Sequence, residues 1–162
     1  MKKTFLAVIM IMGTVFSASA QESKFTAGVN VGLPMGDIKD FYSINFGLDF
    51  AYNFNVAKNF DAGFGVGYAH YIGKKEDFFE VEDAGFVPVF ATAKYLITES
   101  IFVGTDLGYG IGISPNGNNG GLFYQPKLGY ITDEFDIFVG YKNISVDNLN
   151  YTTVNLGINY KI

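Results

Sequence analysis

The chain has no cysteine, no tryptophan and no arginine, and all eleven of its basic residues are lysine. Without cysteine there is no disulfide scaffold, thiol nucleophile, thiolate metal site or lipid-anchored N-terminal cysteine. His70 is the single histidine, and charged residues make up 17% of the chain, against about 25% in ordinary soluble domains. The formal charge of −5 argues against nucleic acid as a partner. Helical periodicity longer than one turn is missing after Gln21. What is abundant is apolar and aromatic: 49% hydrophobic, 17% aromatic, and 20 glycines. That composition excludes intrinsic disorder, which needs few aromatics and many charges.

Lys2 and Lys3 precede an uncharged stretch from Phe5 to Phe16, followed by Ala18-Ser19-Ala20. This is the order of a secretory signal, a basic start, an apolar run and a small-residue cleavage site. The run is shorter than the roughly 20 residues a helix needs to span a bilayer. The expected division is a signal peptide over residues 1–20 and one domain over 21–162. The mature chain would hold nine lysines against sixteen acids. An exported chain without cysteine suits a bacterial envelope, where disulfides are optional.

From Gln21 onward the dominant pattern is period two, the mark of strands with two unlike faces. Eight segments follow, over 25–33, 44–54, 60–68, 87–95, 101–113, 122–130, 135–141 and 152–162. In the second, Ile44, Phe46, Leu48, Phe50, Tyr52 and Phe54 oppose Asn45, Gly47, Asp49, Ala51 and Asn53. In the fifth, Ile101, Val103, Leu107, Tyr109, Ile111 and Ile113 oppose Phe102, Gly104, Asp106, Gly108, Gly110 and Gly112. The apolar faces carry no charge. The opposite faces hold most glycines and eight charges: Asp49, Asp61, Lys94, Asp106, Lys127, Asp136, Lys142 and Lys161.

Turning the apolar face inward would require some forty mostly large side chains inside a barrel. Eight strands enclose only enough space for side chains or one small ligand. A two-sheet sandwich would be left with a thin cover of glycine, asparagine and scattered charge. Turned outward, the apolar face meets lipid, and the small and charged residues line a narrow lumen. A membrane forbids open sheet edges, so such a sheet must close. The expected fold is therefore all-β, an eight-stranded antiparallel up-and-down transmembrane barrel, apolar outside and polar within.

Long connections are expected at the outer end: Pro34–Tyr42, the acidic Gly73–Gly85, Ser114–Gly121 and the shorter Asp147–Asn150. Short ones, Asn55–Asn59, Thr98–Ser100 and Thr132–Glu134, belong at the periplasmic end with the chain termini. Aromatics near strand ends would form two interfacial girdles. Tyr52, Phe54, Phe60, Tyr95, Tyr130, Phe135 and Tyr160 fall at the periplasmic rim. Tyr68, Tyr71, Phe86, Tyr124, Tyr141 and Tyr151 fall at the outer one. Pro88 and Pro126 interrupt strands four and six, where bulges or kinks would accommodate them.

Several strings together resemble the outer-membrane-protein beta-barrel domain family, small porin-like barrels of Gram-negative envelopes. They are Ala18-Ser19-Ala20, Phe86-Val87-Pro88-Val89-Phe90 with Lys94-Tyr95, Asp106-Leu107-Gly108-Tyr109-Gly110, Tyr124-Gln125-Pro126-Lys127-Leu128-Gly129-Tyr130 and the closing Leu156 to Ile162. The resemblance covers essentially the mature chain. It implies residence in the outer membrane among its lipids and assembly by the barrel-assembly machinery, which reads the terminal strand. That strand usually ends in Phe. Here Ile162 ends it, with Tyr160, Ile158, Leu156 and Val154 keeping the alternation. Family roles vary, so the resemblance implies location and fold rather than an activity.

Catalytic chemistry is hard to assemble from these residues. His70 lacks a serine-centred nucleophile elbow, and rim placement is its expected role. The lumen carboxylates are expected to pair with the four lumen lysines, because buried charge is costly unless compensated. Asp77, Glu80, Glu82 and Asp83 offer carboxylates without the spacing of a calcium loop. Asn116 to Gly121 lacks the Lys-Ser/Thr of a phosphate loop. A lipid-modifying enzyme would need a lipid-facing polar cluster, and the sequence displays none. The expected function is non-enzymatic, with no cofactor or metal: a structural or interaction barrel presenting outer loops to an envelope or extracellular protein. The alternative is a narrow channel for water, ions or small solutes, kept open by the lumen glycines.

Overall fold

The structure is a computed structural model that describes residues 23–76, 79–147 and 149–162. The expected signal segment lies outside the described residues. Ten strands are present among those described: β1 (Ser23–Met35), β2 (Tyr42–Ala57), β3 (Phe60–Gly73), β4 (Lys75–Glu76), β5 (Phe79–Glu80), β6 (Ala84–Leu96), β7 (Ile101–Ser114), β8 (Gly121–Ile131), β9 (Phe135–Val146) and β10 (Leu149–Lys161). Eight of them close an antiparallel barrel in the order β1-β10-β9-β8-β7-β6-β3-β2. The short β4 and β5 pair separately within the third connection. All eight expected segments are walls of this barrel.

The side chains face as the alternation requires. Leu48, Leu107, Leu128, Val139 and Leu156 stand outward and about half exposed. A wall of this apolarity is an interaction surface, not a water-facing one. Closure leaves no sheet edge unpaired, the condition for strands to lie in hydrocarbon. Tyr52, Tyr95, Tyr130 and Tyr160 are exposed at the end that bears the termini. There Phe135 and Tyr160 approach to 5.3 Å between ring centroids. Tyr124 and Tyr141 stack at 6.3 Å toward the far end.

Three aromatics assigned to the outer girdle are instead inside. Tyr71 and Phe86 are fully buried and Tyr151 is 7% exposed. Their parity explains it. Tyr71 continues the inward series Gly63, Gly65, Gly67, Ala69; Phe86 shares the face of Pro88 and Phe90; Tyr151 shares that of Thr153 and Asn155.

The walls also run farther than the alternation suggested. β3 extends to Gly73 and β9 to Val146, because inward Tyr71 and Ile144 have a core to pack in. The seventh connection is short for the same reason: Val146 pairs directly with Leu149, with Asp147 at φ +50°, a conformation Asp tolerates.

Neither strand proline produces the expected bulge. Between β3 and β6 the pairing passes from Val66↔Val89 to Ala69↔Phe86 in unchanged register, skipping Pro88. Between β8 and β9 it passes from Tyr124↔Asn143 to Lys127↔Gly140, skipping Pro126. Each proline lacks an N–H and opens a two-residue gap in one ladder. The other ladder continues, with Pro88↔Gly110 and Thr105↔Pro126.

Candidate functional site: the lumen and its far mouth

All eight predicted charges point into the lumen, where they form two tiers. In the tier nearer the termini, Lys94 Nζ donates to Asp136 Oδ2 at 2.8 Å and stands 3.9 Å from Asp61. Lys161 Nζ lies 3.0 Å from Asp136 Oδ1 and also donates to the Thr132 carbonyl. In the second tier, Lys127 Nζ donates to both Asp106 oxygens at 2.8 and 2.7 Å. Lys142 makes no direct ion pair among the described residues. Its Nζ donates to Asn30 Oδ1 at 2.6 Å, and Asn30 Nδ2 donates to Asp49 Oδ2 at 2.6 Å. The amide thus joins an ammonium to a carboxylate through its own dipole, satisfying both without their contact. The sequence reading missed Asn30, although its inward parity beside Gly28 and Gly32 is visible.

Phenylalanines fill much of the space that the lumen glycines free. Phe90 pairs across the ladders with Gly65 and Gly108, Phe102 with Gly129, Phe123 with Gly108, and Phe138 with Gly157 and Gly129. A Cβ added at Gly65 would stand 2.6 Å from Phe90 Cζ, closer than atoms pack. Two rings also carry cations. Lys94 Nζ sits 5.4 Å from the Phe102 centroid and Lys127 Nζ 5.3 Å from that of Phe138, within cation–π range. Both rings come from one repeated string, Ile101-Phe102-Val103-Gly104 and Ile137-Phe138-Val139-Gly140.

At the far mouth a core of Ile38, Tyr42, Tyr71, Phe86, Phe123, Ile144 and Tyr151 closes the barrel. Phe86 and Tyr151 meet at 4.8 Å and Tyr71 and Tyr151 at 5.3 Å, both near edge-to-face, the arrangement aromatic quadrupoles favour. The Tyr71 hydroxyl donates to the Tyr151 carbonyl at 3.4 Å. Below this plug, a cavity of about 110 Å³ lies among Thr26, Asn53, Asn55, Asp61, Lys94 and Lys161. A smaller one of about 40 Å³ reaches Asp49, Asp106 and Phe90. Phe90, which joins the buried cluster at the base of the plug, lines the smaller cavity.

The outer wall does carry a polar cluster, contrary to the sequence expectation. Tyr68 OH lies 3.1 Å from His70 Nδ1, and His70 Nε2 lies 3.2 Å from Asp83 Oδ2. The other Asp83 oxygen accepts the Gly73 N–H at 2.9 Å, and the Asp83 carbonyl accepts Ser114 Oγ at 3.0 Å. The alternation hid this row because Asp83 comes from a connection, not a strand. Acyl transfer would also need donors aimed at a developing oxyanion, and the adjacent Gly73 N–H is spent on Asp83. The Gly73 bond, with His70 second, holds the Asp83 carboxyl below its ordinary range. The row ties the third connection to β3 and β7.

Within that connection Lys75 Nζ and Glu80 Oε1 pair at 2.5 Å, which raises the Lys75 ammonium above its usual range. Asp77 lies outside the described residues. Among those described, no group of three acidic or histidine side chains is placed to hold a metal ion.

No family model matches the sequence, and no curated protein matches it. Solved structures do. Ail, the attachment invasion locus protein of Yersinia pestis, is 19% identical, covers 89% of this chain and 100% of its own, and superposes with a TM-score of 0.58. Ail has also been solved in complex with the heparin analogue sucrose octasulfate. Neisserial surface protein A is 16% identical over 86% of this chain and 97% of its own, at a TM-score of 0.51. A designed transmembrane β-barrel is 14% identical over 86% of this chain and 95% of its own, at 0.54. The fold is that of the small eight-stranded outer-membrane barrels.

Proposed function

We propose that this chain is a non-conducting, non-enzymatic barrel of the Gram-negative outer membrane, with a structural or interaction role exerted by its far-end connections on the cell exterior. The blocked lumen carries the reading. The space freed by glycine is occupied by Phe90, Phe102, Phe123 and Phe138, and the mouth beyond is sealed by Tyr71, Phe86 and Tyr151. A narrow pore is the second reading, favoured by the cavity beside Asp61, Lys94 and Lys161 at the termini end.

The charge of the far-end connections indicates the kind of partner. They contain Asp37, Asp40, Glu76, Asp77, Glu80, Glu82, Asp83 and Asp147, against Lys39, Lys74 and Lys75. The lumen charges cancel, four against four. The surface available to a partner is therefore acidic, and complementarity steers it toward cationic protein surfaces. A sulfated ligand of the kind seen with Ail would be repelled. Assembly through the terminal strand β10 by the barrel-assembly machinery belongs to the same proposal.

The test is single-channel recording of the refolded barrel in planar bilayers, with binding to poly-lysine and heparin measured in nanodiscs. Silence with salt-sensitive poly-lysine binding is expected. Stepwise conductance would favour the pore, and heparin binding would overturn the partner assignment.

A further inference from the structure

We propose that the first far-end connection is a latched lid, with Ile38 as its stopper in the aromatic cup of the mouth. Three observations combine. Ile38 has no exposed surface although it belongs to a connection, in the short 3-10 turn Gly36–Ile38. It packs in the core of Tyr42, Tyr71, Phe86 and Tyr151, so the cup holds an aliphatic group supplied by a loop instead of a wall.

The two ends of the connection are held differently. Toward β2 the root is fixed, because the Phe41 carbonyl accepts the Lys74 N–H at 2.8 Å and the Lys39 carbonyl accepts Lys74 Nζ at 2.9 Å. On the other side, Gly36 turns at φ +61°, open to glycine without strain. The latch is one carboxylate oxygen: Asp37 Oδ2 accepts the Asn150 N–H and Nδ2–H, each at 3.2 Å, in an exposed position. Asn150 is itself held by Ser145 Oγ at 2.8 Å.

The segment is held by these exposed hydrogen bonds and by one buried side chain, far less than the full ladders of the wall strands, and so opens at lower free energy than they do. Opening would uncover the cup, where the Tyr42 and Tyr151 hydroxyls stand 3.4 Å apart and the Tyr71 hydroxyl lies 3.4 Å from the Tyr151 carbonyl. An open cup would take a branched apolar side chain like the one that now fills it. This lid is independent of whether the lumen conducts.

The absence of native cysteine makes the test direct. Ile38→Cys is introduced into the full chain, refolded in lipid vesicles, and its maleimide reaction rate compared with and without Asp37→Ala and Asn150→Ala. Two exposed hydrogen bonds are worth about a tenfold change in opening, so the latch-cut background should label about tenfold faster. Lys39→Cys, exposed in either state, should label equally in both. Equal rates for Ile38→Cys in the two backgrounds, fast or slow, would overturn the lid. Should the double variant fail to regain its β-sheet circular dichroism, Asp37→Ala alone, which removes the acceptor, is read the same way.

Discussion

Phe138 stands directly across the ladder from Gly157, and its ring occupies the volume that a side chain at 157 would need. This is the smallest unit of the lumen: a glycine on one strand makes room for the ring on the next, and the ring supports a lysine from the strand beyond.

Gly157→Ala should therefore be destabilising despite alanine's better strand entropy. Overpacking costs about 1–3 kcal/mol, and the ring that would have to yield also carries Lys127, 5.3 Å from its centroid. Urea unfolding of the variant in lipid vesicles checks it, with Gly157→Ala/Phe138→Leu expected to regain most of the loss.

Lys127 and Asp106 should behave as a unit. Both are largely buried, so removing one leaves an uncompensated charge and costs about 3–5 kcal/mol. Lys127→Met with Asp106→Leu together should cost much less than the sum of the single changes. A double-mutant cycle in the same unfolding assay measures the difference, and additivity would mean the pair is not coupled.

The lipid-facing belt predicts a depth dependence. Leu156, midway along β10 and half exposed, lies across from Val31 and Val139. Leu156→Arg should cost about 2–4 kcal/mol, against about 0–1 kcal/mol for the same change near an interface, as at Leu33. Equal costs at the two sites would mean that the wall does not sit in a bilayer.

Asp83 gives a pH dependence of known sign. Its carboxyl titrates below the ordinary carboxylate range in the folded state, so the unfolded state binds protons more readily. Its contribution to anchoring the third connection is fully present above about pH 4 and is lost as pH falls through the lowered value. Hydrogen exchange at Gly73, the N–H that Asp83 accepts, should stay protected at pH 5 and lose protection in strong acid. Asp83→Asn should remove that dependence.

Most of the architecture was legible from period two alone, because apolar and lumen positions differ so sharply in residues such as Leu48 beside Asp49, or Val139 beside Gly140. The misplaced girdle aromatics share one cause. Tyr71, Phe86 and Tyr151 were assigned by nearness to a rim, when continuing each strand's parity would have turned them inward. The repeated Ile-Phe-Val-Gly string, with its glycine-backed rings, was readable but unused. Asn30 bridging Lys142 to Asp49, and Ile38 in the mouth, depend on contacts between distant strands and loops. No local pattern encodes those.

The barrel closes by pairing its first strand with its last, from Thr26↔Lys161 to Met35↔Thr152, and this sets the order of events at birth. Seven hairpin-like pairings join neighbours in sequence and can form as the chain emerges. The eighth must bridge nearly the whole polypeptide, at the greatest loop-closure entropy. Until it forms, β1 and β10 present raw edges to their surroundings. The open ring can therefore mispair until its two ends meet.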